Sequence, residues 1–156
     1  MAAIIPVKDR NPFDPRFIFD GVEATSEEER TTHDASCHCG EIKYKVTLKW
    51  PFPKYTVNTC SCSICTSTGY IAVYPCRRDV NFIQGYEKLG RYRFGTKTKD
   101  HVFCKTCGTS IGIDFLRAEQ GESDPAKDTF SINVRTFKDI DLDSLEYTFF
   151  DGKKLL

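Results

Sequence analysis

Seven of the eight cysteines in this 156-residue chain fall into three tight groups: Cys37-His38-Cys39, Cys60-Ser61-Cys62-Ser63-Ile64-Cys65 and Cys104-Lys105-Thr106-Cys107. Spacings of one or two residues let a single turn aim two sulfurs at a common point, as a tetrahedral zinc with Zn–S bonds of about 2.3 Å requires. Two of the groups are followed at once by glycine, Gly40 and Gly108, which takes the positive φ that turns backbone N–H groups back toward thiolates. Pairing these look-alike groups gives a closed four-thiolate site from Cys37, Cys39, Cys104 and Cys107, a structural staple between distant parts of the chain. Cys60, Cys62 and Cys65 remain as a three-ligand site whose fourth position is open, the mark of a catalytic or substrate-binding metal.

Alternatives stay open at this point. Cys76, His101 or His38 could supply a fourth ligand and make the second site structural, or all seven thiols could serve one polynuclear cluster. Cys76 follows Tyr74-Pro75, where a thiol reads first as a small buried hydrophobe. Three thiolates leave a divalent cation with net negative charge, which weakens it as an activator of water. Zinc favours sulfur and holds a bound thiol deprotonated, so the expected chemistry is a substrate thiol attacking a small electrophile. An anionic thiol beside such a site needs cations, and Arg77, Arg78, Arg91, Arg93, Lys97, Lys99 and Arg135 are available.

The elements that must hold these groups read as strands. From Glu41 to Lys49 the chain alternates, with Ile42, Tyr44, Val46 and Leu48 on one side and Lys43, Lys45, Thr47 and Lys49 on the other, which is the pattern of a half-buried strand. Further strands are expected at 70–74, 80–83, 90–94, 111–115, 130–134 and 147–150, separated by turn signals such as Gln84-Gly85 and Gly95. No segment has sustained helical periodicity, so the fold class is mainly β in a single domain. Residues 1–35, punctuated by Asn11-Pro12 and Asp14-Pro15 and carrying the polar run TSEEERTTHD, read as an N-terminal arm ahead of a zinc domain at 36–156. Thr25 with Glu28, or Ser26 with Glu29, has capping-box spacing for one short helix.

Lys plus Arg equals Asp plus Glu at 22 each, which argues against a broad nucleic-acid or anionic-membrane surface. The apolar run at the start is too short for a secretory segment, and nothing later approaches a membrane span. A cytoplasmic location is expected, with the nucleus as the alternative, and in that reducing setting cysteines read as metal ligands before disulfides. No phosphate-binding glycine loop or nucleophile elbow is present. The sequence leaves the oligomeric state open.

CHCG at 37–40, CSCSIC at 60–65, YRFGT at 92–96, HVFCKTCG at 101–108 and SINVR at 131–135 together resemble the glutathione-dependent formaldehyde-activating family, which also includes centromere protein V. The resemblance spans roughly residues 36–137 and rests on the ordered set of three cysteine motifs. It implies a β-tent zinc fold with two zinc ions: a structural one on Cys37, Cys39, Cys104 and Cys107 and a second on Cys60, Cys62 and Cys65. The implied activity is a carbon-sulfur lyase reaction, the reversible joining of glutathione and formaldehyde into S-(hydroxymethyl)glutathione. The nucleophile would come from the substrate and not from a protein side chain. Two further readings compete: a non-enzymatic zinc module that binds another protein, and a redox sensor built on the CxCxxC thiols.

Overall fold

The computed structural model describes residues 11–14 and 21–156; the apolar start at 1–10 and Pro15 lie outside them. Among the described residues eleven strands build two sheets, and helix is confined to short pieces. The expected mainly β class is what the chain adopts.

The smaller sheet grows from the alternating stretch. Strand β2 (Thr31–Ser36) pairs antiparallel with β3 (Lys43–Leu48), and β3 pairs antiparallel with β6 (Val80–Gln84). Ile42, Tyr44, Val46 and Leu48 are buried, as period-two alternation requires. Lys49 departs from its expected outward place. It is buried, with its ammonium 4.8 Å from the Trp50 ring centre, because the strand ends at Leu48 and the pleat no longer governs the next residue. Strand β2 itself begins inside the polar stretch read as an arm. Its His33 ring stacks on Phe137 at 4.9 Å, which accounts for a polar strand packing against the core.

The larger sheet runs in the order β1 (Asn11–Pro12), β11 (Tyr147–Phe150), β4 (Val57–Cys60), β5 (Ala72–Val73), β10 (Phe130–Asn133), β9 (Ser110–Asp114), β8 (Asp100–Cys104), β7 (Leu89–Tyr92). The pairs β1·β11 and β11·β4 are parallel and the others antiparallel. The expected strand at 70–74 shortens to Ala72–Val73, and β1, β4 and β8 add to those foreseen.

The main core lies between the sheets, where Tyr44, Val46 and Leu48 meet Val57, Val102, Ile111, Phe130 and Ile132. The Tyr44 hydroxyl donates to Thr136 Oγ1 and Tyr55 Oη accepts from the Tyr74 N–H at 2.9 Å, so the buried phenols are paired. Capping-box spacing near residue 26 does not produce the expected helix. Glu27–Glu29 forms one 3-10 turn whose Ser26 makes no side-chain cap, and Thr25 Oγ1 instead donates back to the Val22 carbonyl.

Candidate metal centres and the adjoining cavity

Each cysteine group sits where a strand runs out. The β2–β3 hairpin turns through Cys37–Gly40, closed by Cys37 N–H to Ile42 O at 3.1 Å and Gly40 N–H to Cys37 O at 3.2 Å. The turn from β8 to β9 repeats the arrangement, with Cys104 N–H to Thr109 O at 3.0 Å and Gly108 N–H to Cys104 O at 2.8 Å. Gly40 and Gly108 have φ of 81° and 76°, the left-handed conformation that a side chain would strain. One tip belongs to the small sheet and the other to the large one, and they bring the sulfurs of Cys37, Cys39, Cys104 and Cys107 within 4.8 Å of one another.

The sulfurs of Cys37 and Cys39 are 3.5 Å apart and those of Cys39 and Cys104 3.7 Å apart. Tetrahedral bonds of about 2.3 Å separate sulfurs by about 3.8 Å, so this donor set fits a zinc ion. The Ile42 N–H donates to Cys37 Sγ at 3.3 Å, and Thr109 Oγ1 lies 3.1 Å from Cys107 Sγ, contacts that stabilise thiolates.

Cys60 is the last residue of β4, Cys62 stands at the N-cap of a short helix α1 (Ser63–Thr68), and Cys65 lies in its first turn. Their sulfurs also lie within 4.8 Å of one another. No fourth Cys, His, Asp or Glu joins them among the described residues. A hydrogen bond with Cys65 pulls the Cys60 thiol down to about 5, aided by the Cys62 and Gly152 N–H groups, while Cys65 is pushed up. Both groups of cysteines could therefore hold a metal ion, one set closed and one with three donors.

The candidate fourth ligands are elsewhere. Cys76 is buried, with Sγ donating to Ala126 O at 3.4 Å. His38 is exposed, and its N–H donates to Thr109 Oγ1 at 3.1 Å. His101 projects from β8 into the cavity that adjoins the three-cysteine group, its ring 5.2 Å from that of Phe94. Burial, reinforced by the charge of Lys99, lowers its pKa and keeps the imidazole neutral near pH 7.

This cavity of about 750 Å³ is floored by Cys60, Cys62 and Cys65 and walled by Tyr70, Tyr74, Phe94 and Phe115. Asn58 Nδ2 donates to Tyr74 Oη at 2.7 Å, which leaves the phenol its own proton to give. The end of the chain closes one side. Ser61 N–H donates to Phe150 O at 3.1 Å, Ser61 Oγ donates to Asp151 Oδ1 at 2.7 Å, and Lys153 N–H donates to Ser61 Oγ at 3.1 Å. A side chain on Gly152 would place its Cβ 2.6 Å from Cys60 Sγ. Nothing in the cysteine spacing signals Gly152 or Phe150; only the parallel pairing of Phe150 with Cys60 brings them in.

Of the seven cations available in the sequence, only Lys99 lines this cavity, joined by Lys153. Arg77 binds Asp114 at 2.5 Å and Asp128 at 3.0 Å, Arg91 binds Asp114 at 3.0 Å and Asp100 at 3.3 Å, and Arg93 binds Asp100 at 2.6 Å. Arg78 pairs with Glu23 at 2.8 Å, and Arg135 Nε donates to Gly69 O at 2.8 Å.

Comparison with known proteins agrees with this geometry. A Halomonas elongata protein that carries a glutathione-dependent formaldehyde-activating enzyme name is 28% identical over 88 residues, covering 51% of this chain and 54% of that protein. The chain thus spans about half the length of that curated relative. A crystal structure of a Rhodobacter sphaeroides protein superposes with a TM-score of 0.61 at 30% identity, covering 75% of this chain and 99% of that one. The family model for glutathione-dependent formaldehyde-activating enzymes matches residues 32–142, a span that takes in all three cysteine groups, and the chain belongs to that family.

Proposed function

We propose that the protein is a zinc-dependent carbon-sulfur lyase that forms or cleaves the adduct of a small thiol, glutathione or a relative of it, with an aldehyde of the formaldehyde type. The observation that carries this reading is the three-cysteine group, without a fourth protein donor among the described residues, on the floor of a cavity large enough for a tripeptide thiol. Cys37, Cys39, Cys104 and Cys107 would hold a structural zinc, and Cys60, Cys62 and Cys65 a second one. A zinc ion held by Cys60, Cys62 and Cys65 would supply a site that favours the thiolate form of a bound thiol.

The chain's own residues do the rest. Lys99 and Lys153 favour the carboxylates of the thiol peptide. Tyr74 offers its hydroxyl proton to the oxygen on which negative charge develops. His101, neutral and inside the cavity, takes the thiol proton at an imidazole nitrogen and returns it to that oxygen. The reaction forms one carbon-sulfur bond, breaks one carbonyl π bond and moves one proton from sulfur to oxygen, with no change of oxidation state overall. None of the eight cysteines is in a disulfide, which suits a reducing compartment such as the cytoplasm. No helix among the described residues is long and apolar enough to cross a membrane.

The test is exchange spectroscopy by NMR on glutathione and formaldehyde at equilibrium with their adduct. The protein should accelerate the exchange and Cys62→Ser should not. Equal rates with and without the wild-type protein would leave the non-enzymatic zinc module as the reading.

A further inference from the structure

The cavity of about 750 Å³ takes both the thiol peptide and the aldehyde, so the chemistry of its wall, and not its volume, bears on the carbonyl partner. Beyond the three sulfurs the wall is a run of rings. Phe13 lies 5.2 Å from Tyr74 and 6.1 Å from Phe150, and Tyr74 lies 6.5 Å from Phe115. Phe94, two residues past the end of β7, faces the same space and is 40% exposed. Aromatic faces that line a cavity gain from contact with an apolar or aromatic group, about 25 cal/mol for each Å² removed from water.

Charge around the rings is one-sided. Lys99 and Lys153 line the cavity, and no Asp or Glu does so among the described residues. An occupant with an anionic thiol part and a bulky apolar part matches both features. Two residues of the aromatic wall, Phe13 and Phe150, lie outside the span matched by the family model.

We propose that the carbonyl partner is an aldehyde bearing an aromatic or similarly bulky apolar group, and that its adduct with a small anionic thiol fills the cavity. The inference rests on the preceding reading that a thiol and an aldehyde meet here. The sulfur lone pair forms a bond to the aldehyde carbon, the carbonyl π pair moves to oxygen, and the thiol proton ends on that oxygen; cleavage is the reverse.

Binding is measured by titration calorimetry on the zinc-loaded full chain, with S-methylglutathione and S-benzylglutathione as unreactive probes, beside NMR exchange rates for glutathione with formaldehyde and with phenylacetaldehyde. The benzyl probe is expected to bind at least about ten-fold tighter than the methyl probe. Phe94→Ala and Phe13→Ala should each weaken the benzyl probe more than the methyl probe and so narrow the difference. The exchange ratio should favour phenylacetaldehyde and fall in the same variants. Equal affinities, or a preference that neither variant changes, would overturn the assignment even if formaldehyde exchange is accelerated. A benzyl preference that both variants narrow, without acceleration for either aldehyde, would instead remove the lyase reading and keep the ligand class.

Discussion

At the scale of single residues, the second cysteine group depends on a position that bears no ligand. Gly152 packs so tightly that a methyl group would sit 2.6 Å from Cys60 Sγ and 3.0 Å from Cys62 Cβ, and its N–H donates to Cys60. Gly152→Ala must therefore push either the chain end or the sulfur aside. We expect zinc at one of two sites to bind about 10- to 100-fold more weakly, the range for disturbed partners of metal ligands, with the fold retained; chelator competition measures it. His101 supplies a second expectation. If its imidazole carries the proton, His101→Asn should slow exchange by about 100-fold, remove the lower limb of the pH–rate profile and leave the zinc content unchanged. A residue that only packed against Phe94 would alter stability and keep the pH profile. The grouping of the cysteines was legible in their spacing, because a turn fixes the geometry of neighbours two or three apart. The places of Gly152 beside Cys60 and of His101 in the cavity were not legible, since they come from strand pairings between distant segments.

At the scale of elements, the arginines show how sequence position misleads about function. They looked available for an anionic substrate, yet Arg77, Arg91 and Arg93 tie β7, β8 and β9 to the turn before β10 through Asp100, Asp114 and Asp128. Burial pushes the Asp114 carboxyl up, but hydrogen bonds from Arg77, the Leu116 N–H and Arg91 outweigh it and hold it below the usual carboxylate range. The Arg93 hydrogen bond, with Arg91 behind it, likewise holds Asp100 low against the cost of burial. A carboxyl with a depressed folded pKa stabilises fully above its unfolded value of about 3.9, and this contribution is lost as pH falls through the folded value. Wild-type stability should thus fall below about pH 4, and Asp114→Asn should flatten that fall. At neutral pH the same change should cost about 3 kcal/mol, the low end for breaking a buried pair, because both arginines remain about a third exposed. Denaturant melts at pH 7 and pH 3.5 separate the two effects. Alternation found β3 because one face of the small sheet is wet, whereas β4 and the two-residue β5 are covered within the large sheet and carry no such signature.

At the scale of the whole molecule, the four-cysteine group joins the two sheets at their hairpin tips, with Cys37 and Cys104 buried at the edge of the main core and Cys107 packed against it. Binding of a metal there is coupled to folding, so its removal should lower the melting temperature by at least about 10 °C, read by thermal denaturation with and without a strong chelator. Loss from the three-cysteine group alone should change little, since its sulfurs all belong to one short stretch from β4 to α1. The family and the mainly β class could be read from motif order and alternation. The cavity could not, because its walls come from both ends of the chain and from strands far apart in sequence. The central claim is that the two groups differ, one closed and one open to a substrate thiol. Its most direct measurement is zinc content by elemental analysis of the purified chain and of Cys62→Ser, each titrated with glutathione. The account predicts two zinc ions per chain, one in the variant, and glutathione binding only to the wild type. A single zinc that the substitution leaves untouched, or two that are indifferent to glutathione, would contradict it.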